Sequence, residues 1–281
     1  MQMRQKITRE KIESFRIYLR ENEKAAATIQ KYIREIELLS EFLDDAYITK
    51  EKILRYREWL RSKYQARTVN GKISAVNSYA DFAGAEDCKV KFLRIQNRPF
   101  IDESRQLGEA EYRKLLLTAK KMNRERLYYM LLSICGTGIR MSELQYITVE
   151  TVKDGKTEIS MKGKNRTILL PKELLKKLEH YIEKYHISSG SVFQTRNGNP
   201  VNRSNICREM KMLCTQAGVD QTKVFPHNLR HLFARKYFEV EKNISLLADV
   251  LGHSSIETTR IYVAASVSEH EKILEKVNLI L

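Results

Sequence analysis

The sequence predicts a mainly α-helical chain of two domains with one small β-sheet, and three features carry that expectation. Apolar residues recur at three- and four-residue intervals between Thr8 and Phe82, as in Ile29, Tyr32, Ile36, Leu39, Phe42 and Leu43, which is the period of amphipathic helices. A polar stretch from Asn97 to Ser104, with Pro99 inside it, breaks that period. One pair of β-like runs, Lys156 to Lys162 and Asn165 to Leu170, flanks a short Gly163-Lys164 turn. At 281 residues the chain is long for one core and comfortable for two.

In chain order, helices are expected over 8–21, 26–44, 50–64 and 66–84. The second opens near Ala27-Thr28, the fourth near Arg67-Thr68, and Gly84 closes the last. They make a helical first domain over 1–100, with a linker near 97–105 and a second domain over 101–281. There, helices at 108–121 and 124–135 lead to Gly136-Thr137-Gly138, whose glycines suit a helix end and a tight turn before a helix carrying Arg140 and Glu143. The two runs around Gly163-Lys164 form a hairpin. Helices follow at about 172–185, 203–217, 226–239, 244–251 and 255–264. The stripe Ile273, Leu274, Val277, Leu279, Ile280 and Leu281 predicts a tail helix, to be docked on its own domain or on a neighbouring copy.

Composition narrows the partners. Lys+Arg 50 against Asp+Glu 35 leaves +15, and both halves are basic, which points to a polyanion bound by phosphate neutralisation. Cys88, Cys135, Cys207 and Cys214 show no CxxC or Cys/His ligand spacing and read as reduced residues of a cytoplasmic protein. The N-terminus is polar and no run of about 18 apolar residues occurs, so neither secretion nor membrane insertion is expected.

Chemistry concentrates in the second domain. Arg140 follows a glycine-bracketed turn and could set a planar five-donor fork on phosphate oxygens, with Glu143 three residues on as its ion-pair partner. His227 and Arg230 lie three apart in a segment that opens with Pro226, near a helix N-terminus, where anions are favoured. Gly252 can end one helix and Ser254 with Glu257 can cap the next, so His253 falls at a corner with Tyr262 about two turns beyond. Taken singly, each could be a surface ion pair, a turn lysine or a core tyrosine. Together with His231, next after Arg230, they make two arginines, three imidazoles and a phenol, a set that suits phosphoryl transfer.

In their order, Gly136 to Leu144, the Lys162-Gly163 turn, His227 to Ala234 and Leu251 to Tyr262 closely resemble the tyrosine recombinase (phage integrase) family, Xer-type enzymes included. Residues 8–84, with Ala27 to Tyr32 and Thr68 to Ser74, resemble its helical, SAM-like core-binding domain, so the fold implied is that domain followed by a mixed α/β catalytic domain. The resemblance makes Arg140, Lys162, His227, Arg230 and His253 activating residues and Tyr262 the nucleophile, with Glu143 and His231 in support. The hairpin turn is one residue shorter than the usual family turn, which keeps Lys164 open as the alternative lysine.

The implied reaction is attack by Tyr262 on a DNA phosphorus to give a 3′-phosphotyrosyl bond. Arg140 and Arg230 would neutralise the non-bridging oxygens, and His253 would donate a further hydrogen bond. His227 would exchange a proton with Tyr262, and Lys162 would protonate the 5′-oxygen. An ordinary phenol, with a pKa near 10, costs about 4 kcal/mol to ionise at pH 7, which is why such cations and a base are needed. No dense Asp/Glu cluster accompanies them and transesterification conserves bond energy, so neither metal nor ATP is expected. The implied partners are a double-stranded recombination site, gripped between two basic lobes, and a homo-tetramer on paired sites, monomeric without DNA, with directionality or accessory proteins. The outcome would be integration, excision or resolution of a mobile element or replicon. Alternatives are a recombinase-derived DNA-binding regulator without catalysis and a type IB topoisomerase-like enzyme.

Overall fold

Threonines start two of the first four helices. Thr8 Oγ1 accepts from Lys11 N at 3.2 Å and Thr49 Oγ1 from Lys52 N at 3.3 Å, filling donors that a helix N-terminus leaves open. In the computed structural model the described residues are 6–43, 47–95, 103–161, 164–195, 197–253 and 255–263. The chain divides into two compact units, Met1–Asn97 and Arg98–Leu281.

The first unit holds α1 (Arg9–Glu21), α2 (Ala26–Phe42), α3 (Lys50–Lys63) and α4 (Ala66–Phe82), then a 3-10 turn at Glu86–Cys88. Each helix ends within two residues of the span its apolar period predicts. Phe15 and Leu19 of α1, Ile36 and Leu39 of α2, Ile53 and Leu60 of α3, and Ile73 of α4 close one core. Each such side chain contributes about 1.5–3 kcal/mol by leaving water. Lys72 Nζ meets both Glu35 oxygens, at 2.7 and 2.9 Å, tying α4 to α2. Beyond the 3-10 turn, two asparagines of α4 hold the chain: Asn77 bonds the N–H and carbonyl of Val90, and Asn70 those of Leu93.

In the second unit a 3-10 turn at Glu103–Arg105 lies within the expected linker, whose residues 97–102 are outside the described residues. Then come α5 (Glu109–Lys121), α6 (Glu125–Thr137), a 3-10 helix (Met141–Tyr146), α7 (Val149–Asp154) and the strands β1 (Lys156–Met161) and β2 (Lys164–Leu169). They pair antiparallel from Lys156↔Leu169 to Met161↔Lys164. After them follow α8 (Lys172–Lys184), α9 (Arg203–Ala217), α10 (Pro226–Val240), α11 (Ile244–Leu251) and α12 (Ile256–Val263). The main core joins Leu115, Met130, Ile134, Ile139, Leu178, Leu213 and Leu229. A smaller cluster of Ala234, Leu247, Leu251 and Tyr262 binds α10, α11 and α12 together.

Two local expectations change. The helix expected to carry Arg140 is a 3-10 helix that starts at Met141, with Arg140 outside it in extended backbone at φ −75°, ψ 151°. Gly138, at φ +64°, stops α6, and the Glu143 carboxylate folds back onto Arg140 N at 2.7 Å, which fixes one tight turn. The helix α7 has no counterpart in the sequence reading, because six residues span fewer than two turns and show no period. The Ser254 cap, the Lys162-Gly163 turn and the tail helix all lie outside the described residues. Among the described residues no helix is long and apolar enough to cross a membrane.

Candidate active site

Two left-handed glycines shape the backbone of the site, Gly138 at the end of α6 and Gly252 (φ +62°) at the end of α11. Both also lack room. A Cβ at 138 would stand 2.3 Å from Phe233 Cδ1, and one at 252 would stand 2.4 Å from Arg166 Cδ. The turn before Arg140 therefore presses against α10, and the turn before His253 against β2.

Helix ends leave carbonyls without partners, and here arginines take them. Arg230 donates from Nη1 to Gly138 O at 2.7 Å and from Nη2 to Leu251 O at 2.5 Å. Arg166 Nη1 donates to the same Leu251 O at 2.7 Å, and Arg140 Nη2 to Gly252 O at 3.2 Å. Glu143, only 2% exposed, supplies counter-charge, with Oε1 2.8 Å from Arg140 Nη1 and Oε2 3.2 Å from Arg166 Nη1. Burial, with Arg140 nearby, lowers Arg230 to about 10, which leaves it charged at neutral pH. Three guanidiniums thus face one carboxylate. Arg140, whose side chain is 42% exposed, carries that surplus to the surface.

The imidazoles gather around Tyr262. From α10, opened by Pro226, His227 and His231 project one turn apart with their rings edge to face at 4.7 Å. Tyr262 of α12 stacks on His231 at 4.1 Å, and its hydroxyl lies 3.2 Å from His227 Nε2. His253 stands at the corner after Gly252. A guanidinium can only donate, so His253 Nε2 accepts from Arg230 Nη2 at 2.9 Å, and the ring proton sits on Nδ1, 2.9 Å from Thr259 Oγ1.

Burial first and Arg230 next hold His253 down at about 4, while burial and His227 push His231 down to about 3. Burial, then Arg230, shifts His227 downward too. All three shifts favour the neutral ring at pH 7. A neutral His227 with its proton on Nδ1 offers Nε2 to the phenol proton, beside cations suited to a phosphate.

The structure thus brings together Arg140, Glu143, His227, Arg230, His231, His253 and Tyr262. Lys162 is outside the described residues, and Lys164 is the first residue of β2.

The family model described as Phage integrase family matches residues 105–269, and the one described as Phage integrase, N-terminal SAM-like domain matches residues 12–87. The chain belongs to the phage integrase family. Tyrosine recombinase XerA of Pyrococcus furiosus is 32% identical to this integrase-family chain, with 99% of this chain and 98% of that protein covered. XerA of Pyrococcus horikoshii is 30% identical, covering 96% and 94%. The fold is shared with the Tn1549 transposon integrase in complex with transposon right-end DNA, at a TM-score of 0.74 and 14% identity over 96% of this chain and 99% of that one. It is shared too with a λ integrase tetramer bound to a Holliday junction, at 0.72 and 18% identity over 90% and 76%.

Three residues of this family member escaped the sequence reading. Asn228, buried between His227 and Arg230, donates from Nδ2 to Arg105 O at 2.9 Å and to Lys223 O at 2.8 Å. Thr259 is fully buried under His253. Arg166 had a readable signal: the two-residue period of a strand puts it on one face with Ile168 and Leu170, both buried.

Proposed function

We propose that this phage integrase family protein is a tyrosine-type site-specific DNA recombinase that cuts and rejoins strands through a 3′-phosphotyrosyl link. The observation that carries the reading is the Tyr262 hydroxyl 3.2 Å from His227 Nε2, beside surplus guanidinium charge. Tyr262 Oη attacks the scissile phosphorus and its proton passes to His227. Arg140 and Arg230 take the non-bridging oxygens of the pentacoordinate transition state. The bond from phosphorus to the 5′-oxygen breaks, and that oxygen takes a proton from Lys162. One phosphoester bond forms as one breaks, so attack by a 5′-hydroxyl of another strand completes the exchange without ATP.

His253 joins this scheme after a rearrangement. Its Nε2 is occupied by Arg230 in the free chain. A bound phosphate draws the Arg230 fork away and favours a protonated ring, since an anion opposes the effect of the surrounding arginines; Nε2–H then donates to the phosphate. The positive charge is supplied by side chains, and we assign no metal or nucleotide cofactor to the reaction.

The partner is a duplex recombination site, bound mainly through phosphates by a chain of net charge +15, with affinity falling steeply as salt rises. Four copies act on two paired sites in the cytoplasm, monomeric before they meet DNA, with accessory proteins that set direction. The outcome is integration, excision or resolution of a mobile element or replicon. The test is a nicked suicide duplex, carrying DNA that flanks the gene, incubated in EDTA with wild type and with Tyr262→Phe. A covalent protein–DNA band from wild type alone is expected. Specific binding without a band would overturn catalysis and leave a DNA-binding regulator, and relaxation of supercoils by a single copy would point to a topoisomerase.

A further inference from the structure

We propose that Arg166 is a positioning residue of this site: from β2 it fixes the Leu251–His253 corner and shares the Glu143 carboxylate with Arg140, so that the hairpin and the phosphate clamp are held as one body. The inference rests on the recombinase reading and adds a residue and a task to it.

Arg166 lies opposite Ile159 in the hairpin, on the second of its two strands. Its side chain is 7% exposed, which is rare for a strand arginine and calls for a reason. The guanidinium spans two parts of the clamp, Glu143 at 3.2 Å and Leu251 O at 2.7 Å, and Leu251 O is also the acceptor for Arg230. Its stem lies so close over Gly252 that no Cβ fits there, so Gly252 is required both for its left-handed turn and for this contact. Arg166 and His253 line one groove between β2 and α11.

The arrangement is poor as a purely structural device. Nε and Nη2 of Arg166 are buried without hydrogen-bond partners, and Arg140 and Arg230 already crowd the region with like charge. An apolar side chain of the same length would fill the space without stranding two donors. What an apolar chain could not do is hold the Leu251 carbonyl, pair with Glu143 Oε2 alongside Arg140, and add a third cation to the field at the phosphate. Arg166 is also among the cations that hold the His253 ring neutral, after burial, Arg230 and Arg140, with His227 the remaining neighbour.

The experiment compares full-length wild type, Arg166→Lys, Arg166→Gln and Arg166→Met on the suicide duplex. Single-turnover cleavage at saturating protein is measured separately from duplex Kd, and the His253 ring is titrated by NMR in the free chain. Arg166→Gln and Arg166→Met are expected to slow cleavage at least about tenfold, as misplaced catalytic groups do, with Kd within about twofold. The His253 titration should move upward as a cation is removed. Arg166→Lys keeps the charge and the stem, guards against a variant that fails to fold, and should recover part of the rate with His253 close to its wild-type titration. Wild-type cleavage by Arg166→Met, or a loss confined to Kd or melting with His253 unmoved, would overturn the proposal. A wild type that makes no Tyr262-dependent adduct would overturn the recombinase reading instead, and the His253 titration would still decide whether Arg166 holds the corner.

Discussion

Glu143→Gln removes the carboxylate that faces three guanidiniums in the second unit, and its cost can be worked from the contacts. Glu143 is almost fully buried, accepts from Arg140 N at 2.7 Å and from Arg140 Nη1 at 2.8 Å, and pairs with Arg166 at 3.2 Å. Deleting one partner of a buried ion pair costs about 3–5 kcal/mol, because the remaining charge is stranded. Glutamine keeps an oxygen for Arg140 N, which places the substitution near the lower end, about 3 kcal/mol. For a unit of this size each kcal/mol lowers Tm by about 2–4 °C, so a fall of roughly 6–12 °C is expected. Circular dichroism reads the melt, while fluorescence of Trp59, the single tryptophan, reports on the first unit and serves as the internal control. Adding Arg166→Gln to Glu143→Gln should return part of the lost stability, since one stranded cation is removed with it. A Glu143→Gln melt within about 1 °C of wild type, or a double variant less stable than the sum of the two singles, would refute the charge argument.

Two further outcomes follow from the same geometry. The folded chain holds His253 at about 4 and His231 at about 3, below the ordinary histidine value, so as pH falls below about 6.5 the unfolded chain takes up protons first and stability declines until those folded values are reached. Urea midpoints between pH 7.5 and 4.5 should show this decline, and His231→Phe, which keeps a ring against Tyr262, should flatten it. Gly138→Ala combines a left-handed φ with a Cβ 2.3 Å from Phe233 and should cost more than about 2 kcal/mol, whereas Gly218→Ala, at φ +61° with open space, should cost only about 1 kcal/mol. Equal losses on thermal melting would show that the α10 contact does not matter.

Much of the fold was legible because helices answer to local rules. The apolar period placed α1 to α4, Pro226 opened α10, and Gly138 and Gly252 ended α6 and α11 where those rules require a left-handed residue. The spacing of His227 and Arg230, and of His253 and Tyr262, also put reactive side chains in ordered pairs before any coordinate was known. The sequence by itself therefore determined most of the helices and the side chains gathered around Tyr262, but neither α7, nor the 3-10 helix after Arg140, nor the parts played by Asn228, Thr259 and Arg166. The tertiary structure alone decided that His231 stacks on Tyr262, that His253 gives its Nε2 to Arg230 and its proton to Thr259, and that Arg166 shares Glu143 with Arg140. The physical reason is range: helix periods and caps act within a turn, whereas burial, ring protonation and the sharing of one carboxylate depend on groups brought together from tens of residues away.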